Sequence, residues 1–237
     1  MVETVGGVAL TWLHDFNRDG FARVERVFDA SDVEAWFTEF RRIWPPRGPV
    51  LERTEGRADL AGKIVPDRLD PVIDLSPVYA SLSTDPRLLD CIHAVFGGPA
   101  SLLKGKLIVK QPGTMGYGLH QEFPYWESLG FSPDHFLTSA IPLDPCTAES
   151  GAIEFFAGMH DRRWPGPADE PRDMDPSWLE GRESTLGLAN PGDLIVFHSL
   201  VPHRSGPNRS PGPRRVLYFS FVAGDHPGLY ERYHAER

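Results

Sequence analysis

Apolar residues recur at helical spacing in the first hundred residues, which predicts two well-defined helices. In the first, residues 31–34 have the form of a capping box, and the proline pair 45–46 ends the helix. Its apolar stripe comprises Val33, Trp36, Phe37, Phe40 and Trp44. The second helix begins at Asp85-Pro86 and ends at Gly97. Between them, the charged segment 51–71 is interpreted as a loop that folds over a site.

From Lys104 onward the pattern changes to short strands separated by turn signals. The predicted strands are 106–110, 136–143, 151–156, 194–197 and 216–222. This arrangement predicts a mainly β fold, an antiparallel sandwich or jelly roll with flanking helices on one side. The long segment from His160 to Asn190 is rich in proline and charge, and we interpret it as a lid.

Length and composition agree with one domain over residues 1–237, with a helical part at 1–100 and a β core at 101–225. The net charge of −9 argues against a nucleic-acid partner. No apolar stretch approaches a membrane span. Cys91 and Cys146 lie in unrelated contexts, which favours two reduced thiols and a cytoplasmic location. We therefore expect a small-molecule partner; the oligomeric state stays open.

The candidate chemistry lies in His120-Gln-Glu122, with His203 and Arg214 far downstream. Side chains two residues apart on an extended segment point to the same side, so one imidazole and one carboxylate can face a common metal. A second histidine would complete the two-histidine, one-carboxylate set that suits non-haem Fe(II). An arginine fork binds a carboxylate with two hydrogen bonds. A lone His-x-Glu pair is usually a surface feature, so the distal residues carry the hypothesis of an oxygenase with an organic-acid co-substrate.

These stretches resemble the phytanoyl-CoA dioxygenase family of Fe(II)/2-oxoglutarate oxygenases. The likeness covers most of the chain and is strongest from Lys104 to Val222. The matching motifs are Lys110-Gln-Pro112, His120-Gln-Glu122, Glu149-Ser-Gly151, Gly158-Met-His160, and His203-Arg-Ser205 through Asn208-Arg-Ser210 to Arg214. The amino-terminal segment 16–21 also looks like the family's opening.

The resemblance implies a double-stranded β-helix, the cupin-like form of the jelly roll. It implies that His120, Glu122 and His203 bind Fe(II), which reacts with O2. It also implies that Arg214, helped by Ser205, binds 2-oxoglutarate. Arg215 is the rival for that role, but adjacent strand residues face opposite sides, and the family spacing favours Arg214.

Two positions depart from the family pattern. Glu122 stands where the family more often has Asp, so the metal must shift or the backbone must withdraw. The retained carboxylate argues against a halogenase. Met159 replaces the usual Ser of the Gly-Ser-His motif, which affects a local turn contact. Of the other histidines, His198 is the best rival for the distal ligand, but it lacks the Ser and Arg at matching spacing.

The first hypothesis is an oxygenase that hydroxylates a small molecule, with bacterial specialised or antibiotic metabolism as the expected setting. The same iron chemistry can also give cyclisation, desaturation or epimerisation. A non-catalytic, cupin-like metal- or ligand-binding protein is the alternative from another class. Zinc-assisted hydrolysis leaves Arg214 without a role. Phe123, Tyr125 and Trp126 either line the substrate pocket or belong to the core.

Overall fold

The structure is a computed structural model, and it describes residues 4–5, 8–9 and 11–235. The described helices are α1 (Thr11–Asp19), α2 (Ala30–Ile43), α3 (Pro49–Glu52), α4 (Pro77–Leu82), α5 (Pro86–Phe96) and α6 (Leu229–Ala235). The strands are β1 (Thr4–Val5), β2 (Val8–Ala9), β3 (Phe21–Val24), β4 (Thr54–Ala58), β5 (Ile64–Leu69), β6 (Ala100–Lys110), β7 (Phe136–Pro142), β8 (Ile153–Phe155), β9 (Thr185–Leu186), β10 (Leu194–His198), β11 (His203–Ser205) and β12 (Arg214–Ala223). Short 3₁₀ helices lie at Phe123–Tyr125, Glu127–Leu129, Pro133–His135 and Pro176–Leu179.

Two antiparallel sheets form the body of the molecule. The larger has the order β3-β10-β7-β12-β6-β5-β4, and the smaller has the order β11-β8-β9. The strands β1 and β2 pair separately. The chain is therefore a mainly β protein with the double-stranded β-helix fold, as the resemblance implied. Strands β3 to β5 come from the first hundred residues, so the region predicted as helical also supplies one end of the large sheet and two strands at the other.

The large sheet is buried on both faces. On β12, Leu217 and Phe219 pack with the helices, whereas Val216 and Tyr218 face the small sheet and Phe155 on β8. This alternation follows from the two-residue period of a strand. Apolar side chains fill both layers. The helices cover one face of the large sheet, and the opposite face forms a cavity with the small sheet.

The helix ends confirm one prediction and correct another. Helix α5 is capped by Asp85, whose carboxylate accepts from the Arg87 amide, and Gly97 ends it in the left-handed conformation. The capping box of α2 is formed by Asp29 and Asp32, two residues before the predicted box at Ser31. An aspartate carboxylate caps as well as a serine hydroxyl, so the sequence offered two overlapping registers.

The segment 51–71 was wrongly predicted to be a loop. Strands β4 and β5 form a hairpin, and Arg68 and Leu69 on β5 pair with Ile108 and Leu107 on β6. Its charged residues hide the strand pattern, but Arg68 forms an ion pair with Glu55 across the hairpin. Charge pairing across strands stabilises such a hairpin without an apolar stripe.

Cys91 and Cys146 are free and buried. Among the residues that the structure describes, no helix combines the length and the apolar character required to cross a bilayer.

Candidate active site

His120, Glu122 and His203 come together at one end of the small sheet. Each offers one ligand atom, and the three atoms lie within 4.8 Å of one another. The Glu122 Oε1 is 3.9 Å from the Nε2 of His120 and 3.8 Å from the Nε2 of His203. Two donors about 2.1 Å from an ion and at right angles to it lie about 3 Å apart. Both Glu122 distances exceed this spacing by under about 1 Å.

The shared direction of these side chains has a different origin from the one predicted. His120 and His203 exchange backbone hydrogen bonds of 3.0 Å in both directions, as an antiparallel pair does. Glu122, however, has helical φ and ψ and immediately precedes the 3₁₀ helix Phe123–Tyr125. Its amide donates to the Ser199 carbonyl at 2.9 Å. A turn, and not strand alternation, brings the longer glutamate side chain back to the histidines.

Both imidazole rings are oriented in the same way. The Nδ1 of His120 lies 2.8 Å from the Gly118 carbonyl oxygen, and the Nδ1 of His203 lies 3.0 Å from that of Val201. A carbonyl oxygen only accepts, so each Nδ1 carries the proton and donates it. Each Nε2 is left with its lone pair facing Glu122, which is the tautomer that a metal requires.

The charges at this site also suit a cation. Burial opposes ionisation of Glu122, but the positive charge of Lys106, with the two neighbouring histidines contributing, outweighs it and holds the pKa of Glu122 well below its usual value. Burial lowers the pKa of His203, which keeps the ring neutral. A carboxylate with two neutral imidazoles is the donor set for Fe(II) with open positions, so the residues present fit the metal.

A narrow cleft between the two sheets runs from the histidines to Arg214. The guanidinium is buried: its Nη1 donates to the Gly151 carbonyl at 2.6 Å, and its Nε has no hydrogen-bond partner among the described residues. The Ser205 hydroxyl lines the same cleft and accepts from Lys110 Nζ and from the Tyr117 amide, which leaves its own proton to be donated. A buried arginine with an unused donor and a serine fit a carboxylate.

Arg215 faces away from the cleft, on the helix side of the sheet. Its Nε and Nη2 bind the Asp144 carboxylate at 2.6 and 2.7 Å, and its guanidinium lies over the Phe37 and Phe40 rings. His203 and Arg214 lie in different sheets, on β11 and β12, and ten intervening residues carry the chain from one sheet to the other.

Lys110, which the sequence pointed to only as part of the Lys110-Gln-Pro112 motif, supports this cleft. Its Nζ lies within hydrogen-bond distance of the Gly151 carbonyl at 3.1 Å, the Ser205 hydroxyl at 2.9 Å and the Gly206 carbonyl at 2.7 Å. Burial, with the Arg214 charge adding to it, lowers the pKa of Lys110 to about 6. Lys110 and Arg214 face each other in the β6–β12 pairing, so Lys110 positions both groups predicted to hold the co-substrate.

A larger pocket of about 600 Å³ opens beside the metal ligands. Tyr125 and Trp126 line it, whereas Phe123 packs in a small core with Phe136. The pocket also takes cationic side chains that the sequence analysis did not single out: Arg57, Arg68, Lys104, Lys106 and Arg172. The available signal was the spacing of Lys104 and Lys106, two residues apart where the strand pattern begins, since residues two apart on a strand share one face.

The segment 160–190 contacts the metal site at two places. Gln121 points away from the ligands: its Nε2 donates to the carbonyls of Arg162 and Leu200, and its Oε1 accepts from the Trp164 amide at 2.7 Å. On the pocket side, Asp173 accepts from the Tyr125 hydroxyl at 2.9 Å. The segment therefore forms one wall of the pocket, as its prediction as a lid requires.

The rival histidine His198 is not at this site. Its Nδ1 accepts from the Leu200 amide at 3.1 Å, and its Nε2 lies 3.3 Å from Asp134. Burial lowers its pKa to about 4, with the neighbouring His160 contributing. His160 packs against His198 with ring centroids 5.5 Å apart, so this pair belongs to the packing between α1 and the segment 160–190.

Proteins of similar sequence carry the names of oxygenases. A methylphosphonate hydroxylase of Gimesia maris is 32% identical over 172 residues, which cover 73% of this chain and 64% of that protein. A 2-aminoethylphosphonate dioxygenase of uncultured bacterium HF130_AEPn_1 is 24% identical over 193 residues, covering 81% of this chain and 72% of the relative. The matched region thus spans just under two thirds of the first relative's length.

A solved structure shows the same fold. The epimerase SnoN, in complex with Fe3+, alpha ketoglutarate and nogalamycin RO, superposes with a TM-score of 0.73 at 22% identity, covering 89% of this chain and 82% of that one. The model of the family described as phytanoyl-CoA dioxygenase matches residues 16–216. With most of its length matched, the chain belongs to the phytanoyl-CoA dioxygenase family.

Proposed function

We propose that this enzyme hydroxylates an aliphatic C–H bond of a small molecule. His120, Glu122 and His203 hold Fe(II), while Arg214 and Ser205 hold 2-oxoglutarate. One observation carries the proposal: the three ligand atoms stand at the mouth of a cleft that ends on a buried arginine with an unused donor. A metal site for hydrolysis has no need of such an arginine.

The overall reaction balances with one O2. One oxygen atom enters the substrate as a hydroxyl group, the other enters 2-oxoglutarate, and the keto acid leaves as succinate and CO2. The iron, when bound, supplies the activation of O2. The chain's own residues hold the co-substrate and direct both histidine lone pairs toward one point. The segment 160–190 and the hairpin β4–β5 wall the pocket and limit the access of water.

The named relatives support a small substrate and an oxidation, since two of them are a hydroxylase and a dioxygenase of phosphonates. The epimerase SnoN supports epimerisation as the second outcome on the same scaffold and is the reason to retain a role in antibiotic metabolism. Two free, buried thiols support the proposal of a reducing, cytoplasmic setting.

An anaerobic spectrum tests the proposal. Metal-free protein receives Fe(II) and 2-oxoglutarate, and chelation of the keto acid gives a weak visible charge-transfer band. We expect the band in the wild type and not in Glu122→Ala or His203→Ala. His14→Ala, a change at an exposed histidine of α1, keeps it. On admission of O2, the protein that shows the band forms succinate.

The opposite result has a clear meaning. Folded protein that binds Fe(II) but gives neither the band nor succinate would overturn the oxygenase and favour a cupin-like binding protein. Hydroxylated and oxygen-free products, once a substrate turns over, separate hydroxylation from epimerisation, desaturation and cyclisation.

A further inference from the structure

The pocket beside the metal ligands concentrates positive charge on a protein that is negative as a whole. Its lining contains the five cationic side chains named above and two carboxylates, Glu122 and Asp173, whereas the chain has a net charge of −9. A cavity with one sign of charge and low-dielectric walls focuses its field and raises the local concentration of the opposite ion. The cavity is therefore built for an anion.

Three of the five cations already have carboxylate partners. Arg57 Nε is 3.3 Å from Asp67, Arg68 pairs with Glu55, and Lys104 Nζ is 2.6 Å from Asp70. These pairs hold the hairpin β4–β5 and strand β6 in place, and their charges are largely balanced. The two remaining cations, Lys106 and Arg172, set the charge that the pocket presents.

Lys106 lies at the junction of the large pocket and the cleft. Its side chain is 14% exposed, and among the described residues its ion-pair partner is Glu122 at 3.9 Å. The proposed function commits that carboxylate to the metal. An ammonium group in so buried a place then requires another anion, because a buried charge without a partner is costly.

Arg172 lines the same pocket from the segment 160–190 and is exposed. In the part of the chain that the structure describes, it forms no ion pair; its guanidinium lies 5.9 Å from the centre of the Tyr125 ring. The neighbouring Asp173 accepts a hydrogen bond from the Tyr125 hydroxyl. Lys106 and Arg172 thus both present positive charge to this pocket.

Resting on the proposed function, we propose that the substrate carries a compact dianionic head group of the phosphonate type, anchored by Lys106 with Arg172 as the second cation of the pocket. A dianion matches two unbalanced cations, whereas a monoanion leaves one of them without a partner. Its oxygen atoms accept hydrogen bonds from ammonium and guanidinium groups, and these charge-assisted bonds are the strong ones. The carbon next to the head group is held beside the metal ligands.

Titration of the anaerobic Fe(II)·2-oxoglutarate protein tests this inference. Methylphosphonate and methanesulfonate are the probes, because both are small tetrahedral anions and differ in charge. Binding is followed by calorimetry and by the shift of the visible band. We expect methylphosphonate to bind at least tenfold more tightly than methanesulfonate and to shift the band.

Variants identify the anchor. Lys106→Met should weaken methylphosphonate binding at least tenfold while the 2-oxoglutarate band persists, and Lys106→Arg should restore most of the affinity. Arg172→Met should weaken binding as well. Lys63→Met is the matched control, since Lys63 is exposed in the β4–β5 turn; it should bind methylphosphonate like the wild type. Thermal unfolding of each variant checks that it is folded.

Three results would overturn the inference. Equal binding of the two probes would show that the pocket does not prefer a dianionic head group. Loss of the 2-oxoglutarate band in Lys106→Met would assign Lys106 to the co-substrate, whose cleft it also lines. A wild-type protein with the band but without methylphosphonate binding would reject the substrate class and leave the proposed function intact. A missing band in the wild type is the different case in which the proposed function itself fails.

Discussion

Arg214 and Arg215 are neighbours in the chain but have unlike surroundings. Arg214 is 1% exposed, faces the cleft and keeps one donor unused. Arg215 lies on the other face of β12, where both of its side-chain hydrogen bonds go to Asp144. Since successive strand residues face opposite sides, one position can serve a ligand and the other the fold.

Substitution of each arginine by methionine should separate these roles. We expect Arg214→Met to raise the KM for 2-oxoglutarate about 10–100-fold, because a hydrogen bond to a charged group contributes about 1.5–3 kcal/mol. Arg215→Met should leave that KM nearly unchanged and lower the free energy of unfolding by about 1–3 kcal/mol. Succinate formation and thermal unfolding measure the two effects. A larger KM change in Arg215→Met would reverse the assignment.

For individual residues, the sequence predicted the candidate metal ligands but not the lysines that lie beside them. The pattern of His120, Glu122 and His203 is visible because each residue type has a chemical preference. Lys106 and Lys110 were not identified as site residues, since a lysine in a strand is usually exposed. Their importance depends on the pairing of β6 with β12, a long-range contact that no local pattern encodes.

Among the larger elements, the segment 160–190 is held in part by the side chain of Gln121. Gln121 lies between two metal ligands in sequence, and its amide group is hydrogen-bonded to the backbone of residues 162, 164 and 200. It is 1% exposed. In this motif the outer residues face the candidate metal site and the middle one secures the wall of the pocket.

Gln121→Met should loosen this wall without removing a ligand. The methionine has a similar volume but leaves the Trp164 amide and the Arg162 carbonyl without their partners. We expect faster hydrogen exchange over residues 160–175, a higher KM for substrate and more succinate formed per product, because water enters the pocket. The anaerobic 2-oxoglutarate band should persist.

Gln111→Met is a control of the same residue type in the turn after β6. It should show none of these changes. Unaltered exchange in Gln121→Met would mean that the segment is held by other contacts, such as the Asp173–Tyr125 hydrogen bond.

The elements were predicted unevenly, for physical reasons. The start of helix α5 is marked by Asp85 and Pro86 and its end by Gly97. The central strands are apolar on both faces. The hairpin β4–β5 has neither signal. Its stability comes from charge pairs and from the pairing of β5 with β6 at the edge of the large sheet. Its sequence therefore lacks an apolar strand pattern and is typical of a loop.

In the molecule as a whole, the proposed ligands span the two sheets. His203 lies on β11 of the small sheet, whereas Arg214 and Lys106 lie on β12 and β6 of the large one. A 2-oxoglutarate that binds both the metal and Arg214 therefore connects the layers across the cavity. The sequence predicted two layers, but it could not predict that His203 and Arg214 would lie in different sheets.

This bridging predicts a stabilisation that requires metal and co-substrate together. At a ligand concentration 100 times its Kd, binding to the folded state adds about 2.7 kcal/mol. Since each kcal/mol corresponds to about 2–4 °C in Tm for a chain of this size, we expect Tm to rise by about 5–11 °C with anaerobic Fe(II) and 2-oxoglutarate. Fe(II) alone should give a smaller rise. Glu122→Ala should lose both effects, and Arg214→Met should keep the effect of the metal and lose that of the co-substrate. An equal rise in Arg214→Met would show that 2-oxoglutarate does not reach across to the large sheet.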